Sequence, residues 1–526
     1  MLLIILACSG AGVRIEGPPT HGSGGPGDSD SIEEVGGDTS EDAVDSGSGN
    51  TDGVCRPGGD AVYVTESEAA VLTLRCTGAG EASDWVITNL PDGASFDAGT
   101  RTVRWMPALD QAGRWDLRVQ ALTTEIEDGT ATIWVADAWD QRDNTPVDAE
   151  GYQEEFGLPV LNITKPAGMS EWELVETQAT YRGHTYQVAL EYRGAASRGY
   201  PKNSYRVEFA RGDEFEDKDE DFDNRRDIVL TSTFDDNAYF RQKMCFDIWN
   251  MIRPGRPQQM QSMFVVVYMN SEYEGLYLLT DHVDGEYWKD QGYTEEINMY
   301  KSVDHSANFY DSYGGEKTSW HSGYEQKETI DGTWTDIDDF VEFVSESSDA
   351  EFQAGIADYM EITDIYDWWT VVVFTEADDS GAKNAYLIND PAAPLFHQVP
   401  WDFNHSLGQT WQTERQGATY PEDFTSANNL FRRMLASPTY GGPMRQSMLD
   451  ALDGPASVPE LNAVIDEYWL RIGPSAYRDW DKWGSEYRAY GGWNWRDDWT
   501  EVDEEVGYVR DWISDRHAYV ENWIGN

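Results

Sequence analysis

Apolar and polar positions along this chain keep three different rhythms. From about residue 55 to 137 they alternate in short runs, AVYVT, AVLTLRC, DWVITN, TRTVRWMP, RWDLRVQALT and TATIWVAD, with turn signals such as LPDGAS and LDQAG between them. Period-two runs at this spacing predict a small all-β sandwich. A polar connector over 138–155 leads into a larger unit, 156–526. There LPVLNIT, TYQVALEYRG, KNSYRVEFA and RDIVLTS read as strands, and QSMFVVVYMNSEYEGLYLLTDHVD as two more that turn at Asn270–Ser271. The acidic insertion DEFEDKDEDFDN (213–224) predicts an exposed hairpin loop. DDNAYFRQKMCFDIWNMI has helical spacing, with Asp235 or Asp236 as its N-cap and an end before Pro254. After residue 330 the rhythm is helical: DIDDFVEFV, EFQAGIADYM, the almost wholly apolar DIYDWWTVVVF ending near Glu376, and four further candidates beyond Gly408. Strands followed mainly by helices predict an α+β class.

Composition narrows the partners. The chain has 96 Asp and Glu against 38 Lys and Arg, a formal net charge of −58, with 40% apolar and 13% aromatic residues. That supports a sizeable core and excludes nucleic acid as a partner, because phosphate backbones are held by Lys and Arg. The N-terminus MLLIILACSG is apolar but too short to span a bilayer, and Ile5-Leu6-Ala7-Cys8 is similar to a bacterial lipobox, with Cys8 as the lipidated residue. Membrane association is therefore expected only through that anchor, at a cell envelope or surface. Residues 9–54 are nearly all Gly, Ser, Asp, Glu, Pro and Thr and predict a flexible acidic tether. Cys55 and Cys76 bracket the first strands and are placed to form a disulfide in an oxidising compartment. Cys245, within MCFDIW, predicts a buried free thiol. No Cys or His cluster has zinc spacing.

The candidate chemistry lies between the apolar helix and Gly408, in EADDSGAKNAYLINDPAAPLFHQVPWDFNHSLG. Two acidic clusters, Asp378-Asp379 and the WDFN of 401–404, flank a predicted hairpin. Asp379 and Asn384 are five residues apart, and Asp402 lies 23 beyond Asp379. Phosphoryl transfer of the kinase type needs an Asp to orient the acceptor hydroxyl, with an Asn and a second Asp to hold Mg²⁺ on the phosphates. Sequence does not rank Asp378 against Asp379.

Two resemblances extend this. ITNLPDGASFDAGTRTVRWMPALDQAGRWDLRVQA resembles the immunoglobulin-like (cadherin-like) modules of bacterial surface proteins, which implies a spacer or adhesion module. Arg193-Gly-Ala-Ala-Ser-Arg198-Gly-Tyr-Pro-Lys202-Asn-Ser-Tyr-Arg206, the helix around Phe240–Ile248, VVVYMNSEYEGLYLLTDHVD (265–284), YEQKE (324–328) and PWDFNHSLG (400–408) resemble, in order, the motifs of the spore coat protein H (CotH) kinases. That family implies a two-lobed atypical protein-kinase fold, with a small lobe near 156–284 and a large lobe near 285–526. It also implies transfer of phosphate from ATP, with Mg²⁺ or Mn²⁺, to Ser or Thr of surface or secreted proteins. The chain's own Ser40, Ser46, Ser48 and Thr51 are candidate acceptors.

By this resemblance Asp379 is the catalytic residue and Asn384 and Asp402 are metal ligands. Lys202 is the phosphate-binding lysine, with Arg206 and Arg198 beside it, and Asp281 stands where the family usually has a hinge Glu beside the nucleotide. Arg193 and Arg198 flank the turn nearest to a glycine-rich loop, where each is a candidate to meet phosphate or to form a structural salt bridge. Asp247 is a candidate partner for Lys202. His282, His397 and His405 read as packing. Two alternatives stand beside the enzyme: a catalytically silent surface-binding protein with a kinase fold, and a carbohydrate-binding accessory protein based on the Trp-rich DWDKWGSEYRAYGGWNWRDDW.

Overall fold

The computed structural model describes residues 56–526, apart from 60–61, 78–84, 109–110, 112, 122–128, 137–146, 170–172, 494–495 and 526. The Cys8 anchor, the 9–54 tether with its Ser and Thr candidates, and Cys55 lie outside the described residues. The first described region is all β. A four-stranded sheet (Val62–Thr65, Gly129–Ala136, Gly113–Ala121, Trp85–Ile87) and a three-stranded one (Ala70–Thr73, Thr102–Trp105, Ser95–Asp97) share one core. Leu72, Val103, Leu117 and Ile133 fill it, each at the inward position of its alternating strand. The Trp134 ring leaves this sheet and lies against Gly157, where a Cβ would overlap it and where φ is +82°.

Seven strands then close into a barrel. They are β1 (Leu158–Ile163), β2 (Val175–Tyr181), β3 (His184–Arg193), β4 (Ser204–Phe209), β5 (Asp227–Thr231), β6 (Ser262–Met269) and β7 (Glu272–Asp281). The order around the ring is β1-β2-β3-β4-β5-β7-β6 and back to β1. All neighbours are antiparallel except the closing pair, in which Val160–Ile163 runs parallel to Val266–Met269. Closure removes the free edges an open sheet would leave. Leu161, Val207, Ile228, Val265, Val267 and Leu279 fill the inside. Phe264, Val266 and Tyr268, on the other face of β6, join the core of the following helices. This explains why SMFVVVYM is apolar throughout: both of its faces are buried.

Two local expectations change. The 213–224 insertion does form a strand pair, Phe215–Asp217 with Phe222–Arg225, but it is not an exposed loop. Phe215 and Phe222 are fully buried within the barrel core, against Tyr181 and Phe209 at ring distances of 5.0 and 5.4 Å for Phe215. Asp217 is buried with them, accepting the Tyr181 hydroxyl, while Glu216, Asp219, Asp221 and Asp223 stay exposed and the two rings join the barrel core. Helix α1 runs Arg241–Ile252 and starts four or five residues later than the pattern predicts. Tyr239 holds a positive φ, which interrupts a helix, and residues 232–240 are instead a wholly buried loop. Phe240 stands at the N-cap position without a side-chain cap bond, and Asp236 instead accepts the N–H of Arg241, the first helical residue, at 2.8 Å.

The remainder is helical around a second antiparallel sheet: β8 (Asn298–Ser302), β9 (Tyr324–Glu328), β10 (Ala385–Asp390) and β11 (Ala393–Pro400), in the order β9-β8-β10-β11. Helix α2 (Ile362–Thr375) is buried along nearly its whole length, as its apolar sequence requires, and ends at Glu376 in a left-handed cap. Two long helices follow, α3 (Val458–Ala489) and α4 (Val502–Gly525). The barrel's outer face and these helices share one continuous core.

Candidate active site

The end of α2 and the β10–β11 hairpin bring the acidic clusters together. After Glu376 the chain turns through Asp378 to Lys383 and enters β10. Asn384, just before that strand, sits at φ +59° with its N–H on the Ser302 carbonyl at 3.1 Å. Its Nδ2 donates to the Asp379 carbonyl and to Asp379 Oδ2, both at 3.4 Å. In the hairpin Ala385 faces Pro400, so Asn384 and the Trp401-Asp402 pair leave the sheet at the same end. Asp402 is also left-handed, at φ +60°. Left-handed backbone at non-glycine residues costs energy and tends to persist where function holds it. Both residues carry hard oxygen donors of the kind that suit Mg²⁺.

Asp379 is the better connected of the two adjacent acids. Lys383 Nζ lies 2.6 Å from its Oδ2 and His305 Nε2 lies 3.4 Å from its Oδ1. Burial opposes its ionisation, but the hydrogen bonds from His305 and Lys383 hold its carboxyl below the ordinary value. Asp378 moves the opposite way, raised by burial and by the Asp379 charge, and accepts the Trp411 backbone N–H. The pair is thus split electrostatically, Asp379 being the more readily ionised of the two.

The stretch after Asp402 is pinned by Asp235 from the buried loop before α1. Asp235 Oδ2 accepts from Asn404 Nδ2 (2.6 Å), His405 Nε2 (3.1 Å) and the Tyr200 hydroxyl (3.2 Å), and its carbonyl accepts from Gln409 Nε2 (2.7 Å). Burial alone would lower His405, but its hydrogen bond to Asp235 and the charges of Asp235, Asp402 and Asp379 hold it above its ordinary value. His405 is therefore an electrostatic member of the site and not only packing. His282 pairs with Asp284 and His397 with Asp364. Among the described residues, no three His, Cys, Asp or Glu side chains gather as a metal site.

Of the residues expected at the nucleotide, Lys202, Arg206 and Asp281 are engaged by other partners. Lys202 is fully buried at the end of the barrel. Its ammonium is held by Asp479 Oδ2 and the Leu276 carbonyl, both at 2.6 Å, and burial lowers its pKa. Its acid is therefore Asp479 on α3. Asp247, the expected partner, pairs with Lys243 at 3.1 Å and bonds the Tyr468 hydroxyl. Arg206 is held by Asp227 at 2.7 Å, with Glu191 and Glu208 beyond. Asp281 is buried, with Oδ1 on Arg225 (2.7 Å) and Oδ2 on the Gln261 N–H (2.9 Å). Arg198 lies in the short turn Ala196–Gly199, its carbonyl accepting from Asn203.

Sequence reasoning missed Lys383, His305, Asp235 and Asp479. Lys383 was marked only by being the lone cation of an acidic turn. The others come from distant segments, and nothing local pointed to them.

A family profile described as CotH kinase protein matches residues 190–520. Over 345 residues the chain is 24% identical to the inner spore coat protein H of Bacillus subtilis (strain 168), covering 64% of this chain and 87% of that protein. The crystal structure of the Helicobacter pylori proinflammatory kinase CtkA aligns with 70% of this chain and 98% of that chain, at 7% identity and a TM-score of 0.29. That structural likeness is too slight to bear on the fold.

Proposed function

This chain belongs to the CotH kinase protein family, and we propose that it is an atypical, two-lobed protein kinase that moves phosphate from ATP to Ser or Thr hydroxyls. The observation that carries this reading is the clustering of Asp379 and Asn384 before β10 with Asp402 after β11, at one end of one hairpin. Asp379, kept anionic by His305 and Lys383, accepts the hydrogen bond of the incoming hydroxyl and aligns its oxygen. Asn384 and Asp402 hold the divalent metal. Mg²⁺ or Mn²⁺ bound there would neutralise charge on the transferred phosphoryl group. Because Asn384 Nδ2 is tied to Asp379, its Oδ1 is the atom left for a cation, and this tie couples the acceptor residue to the metal residue. Asp235 fixes the Asp402 segment through Asn404 and His405, so the barrel and the helical half set the site jointly.

The relative's name places that protein in a spore coat. With the Cys8 lipobox-like start, it supports an envelope or surface location for this chain, the β-rich region serving as a spacer in the manner of an immunoglobulin-like module. Acceptors are then proteins at that surface, or the chain itself.

Incubation of the purified protein with Mn²⁺ or Mg²⁺ and γ-labelled ATP tests the reading, with a Ser-rich acceptor present. Wild type is expected to label the acceptor or itself. Asp402→Ala and Asp379→Asn are each expected to lower the rate by roughly 10²–10⁴. Labelling that is absent from wild type, or equal in Asp402→Ala, sinks the enzyme reading and leaves the silent binding protein.

A further inference from the structure

Buried and half-buried cations in this acid-rich chain are nearly all tied to carboxylates. Lys202, Arg206, Arg225, Arg241 and Arg256 each have one within 2.5–2.7 Å. Lys165 and Lys317 are exceptions elsewhere in the fold, and so are two neighbouring cations at the site. Among the described residues, Lys301 on β8 and Arg193 at the end of β3 have no carboxylate within ion-pair distance. Each instead rests on aromatic rings at the site. The Arg193 guanidinium lies over Trp401 at 4.5 Å. Lys301 Nζ lies 5.7 Å from both the Trp401 and Tyr386 rings, which meet edge-to-face at 5.4 Å.

The placement is specific. Trp401 immediately precedes Asp402. Tyr386 lies two residues past Asn384 and directly opposite Lys301 in the β8–β10 pairing. Arg193 comes from the barrel and Lys301 from the second sheet, so the two cations reach the same ring pair from opposite halves of the molecule. They also repel: burial and then the Arg193 charge push Lys301 down to about 8. Asp402 and Glu325, the latter opposite Lys301 in the β8–β9 pairing, act on Lys301 only from beyond ion-pair distance, so two adjacent, mutually repelling cations are left with room for an external anion.

We propose that Lys301 and Arg193 form the clamp for the phosphates of the nucleotide donor, the role expected of Lys202. This rests on the kinase reading above. The ligand class is a nucleoside di- or triphosphate, and Asn384 and Asp402 would hold the divalent metal that accompanies it. Arg193 supplies a planar fork for two phosphate oxygens and Lys301 a point charge.

The test is displacement of a fluorescent nucleotide from the full-length protein by ATP, ADP and adenosine in the presence of Mn²⁺, with thermal melting of the nucleotide-free protein alongside. Lys301→Met and Arg193→Met are each expected to weaken ATP and ADP by about ten- to a hundredfold, the range for one charge-assisted bond, and to leave adenosine unchanged. Lys301→Met should melt no lower than wild type, because it removes an unpaired cation and keeps the methylene stem. ATP bound as tightly by both folded variants as by wild type removes the clamp and leaves the kinase reading standing. A wild type that binds ATP no better than adenosine removes both. If Lys301→Met unfolds, or loses adenosine in parallel with ATP, Lys301 is structural and the assignment is overturned.

Discussion

Lys202 shows how a residue's surroundings decide its role. Lys202 reads from its motif as a strand lysine but sits in a bend two residues before β4, and its 2.6 Å bond to Asp479 spans 277 residues of sequence. The same carboxylate accepts the Leu276 N–H at 2.7 Å and the Tyr239 hydroxyl at 3.0 Å, so it serves strand, loop and cation at once. A buried pair of this kind is costly to break and cheap to replace with apolar groups. Asp479→Asn is therefore expected to destabilise the protein by about 3–5 kcal/mol. The double substitution Lys202→Met/Asp479→Leu should recover much of that loss in a denaturant titration. A Lys202 that served the nucleotide would show the reverse: modest loss of stability and large loss of binding. By contrast, Asp379, Asn384 and Asp402 were legible because one hairpin sets their proximity, and a hairpin is written in consecutive residues. Lys301 and Arg193 were not legible as a pair, since two separate sheets bring them together.

At the scale of elements, sequence pattern served where burial is one-sided or total and failed where polar residues mask an apolar purpose. The uniform apolarity of α2 and the alternation in β10 and β11 led directly to a buried helix and a strand pair. The insertion 213–224 misled because ten of its positions are polar or charged and only Phe215 and Phe222 are not. Those two rings are wholly buried. Phe215→Ala or Phe222→Ala is expected to cost about 3–5 kcal/mol, read as a shift in the unfolding midpoint. An exposed loop would tolerate either change at little cost. Helix α1 began later than expected because Asp235 and Asp236, good caps by type, are occupied elsewhere: Asp235 by the segment after Asp402, Asp236 by Arg241 at 2.6 Å. Tertiary demand overrode a local preference.

For the whole molecule, the ion pairs from α3 and α4 bind the barrel to the helices. Arg241, fully buried, is shared between Asp236 (2.6 Å) and Glu505 on α4 (2.5 Å), and Glu505 also takes Arg415 at 2.9 Å. Burial opposes ionisation of Glu505, but Arg241, Thr500 and Arg415 draw its carboxyl down to about 2, below the ordinary 4.5. The folded state thus holds this proton more weakly than the unfolded chain. Its contribution to stability is complete above pH 4.5 and is lost as the pH falls toward 2. Glu505→Gln should lower stability at neutral pH by about 3–5 kcal/mol and flatten the acid limb of the stability–pH profile. Parallel profiles for wild type and variant would show that the shift comes from elsewhere. The class of mixed helix and sheet was legible as a sum of local patterns. Closure of the barrel was not, because a parallel pairing between residues 160–163 and 266–269 leaves no turn in the sequence to announce it.

The partnership of Lys202 with Asp479 also has a temporal side. A ribosome releases the chain from its N-terminus at roughly 5–20 residues per second, so 277 residues separate the two by roughly 14–55 s. Throughout that interval the lysine that must be buried has no counterion, and Arg241 waits almost as long, over 264 residues, for Glu505. The seven strands can meet during synthesis, but they cannot settle in their final packing until the last helices emerge. Nascent chains stalled before residue 479 should remain open to protease across the barrel, and completion of the C-terminal helices should be the event that locks it.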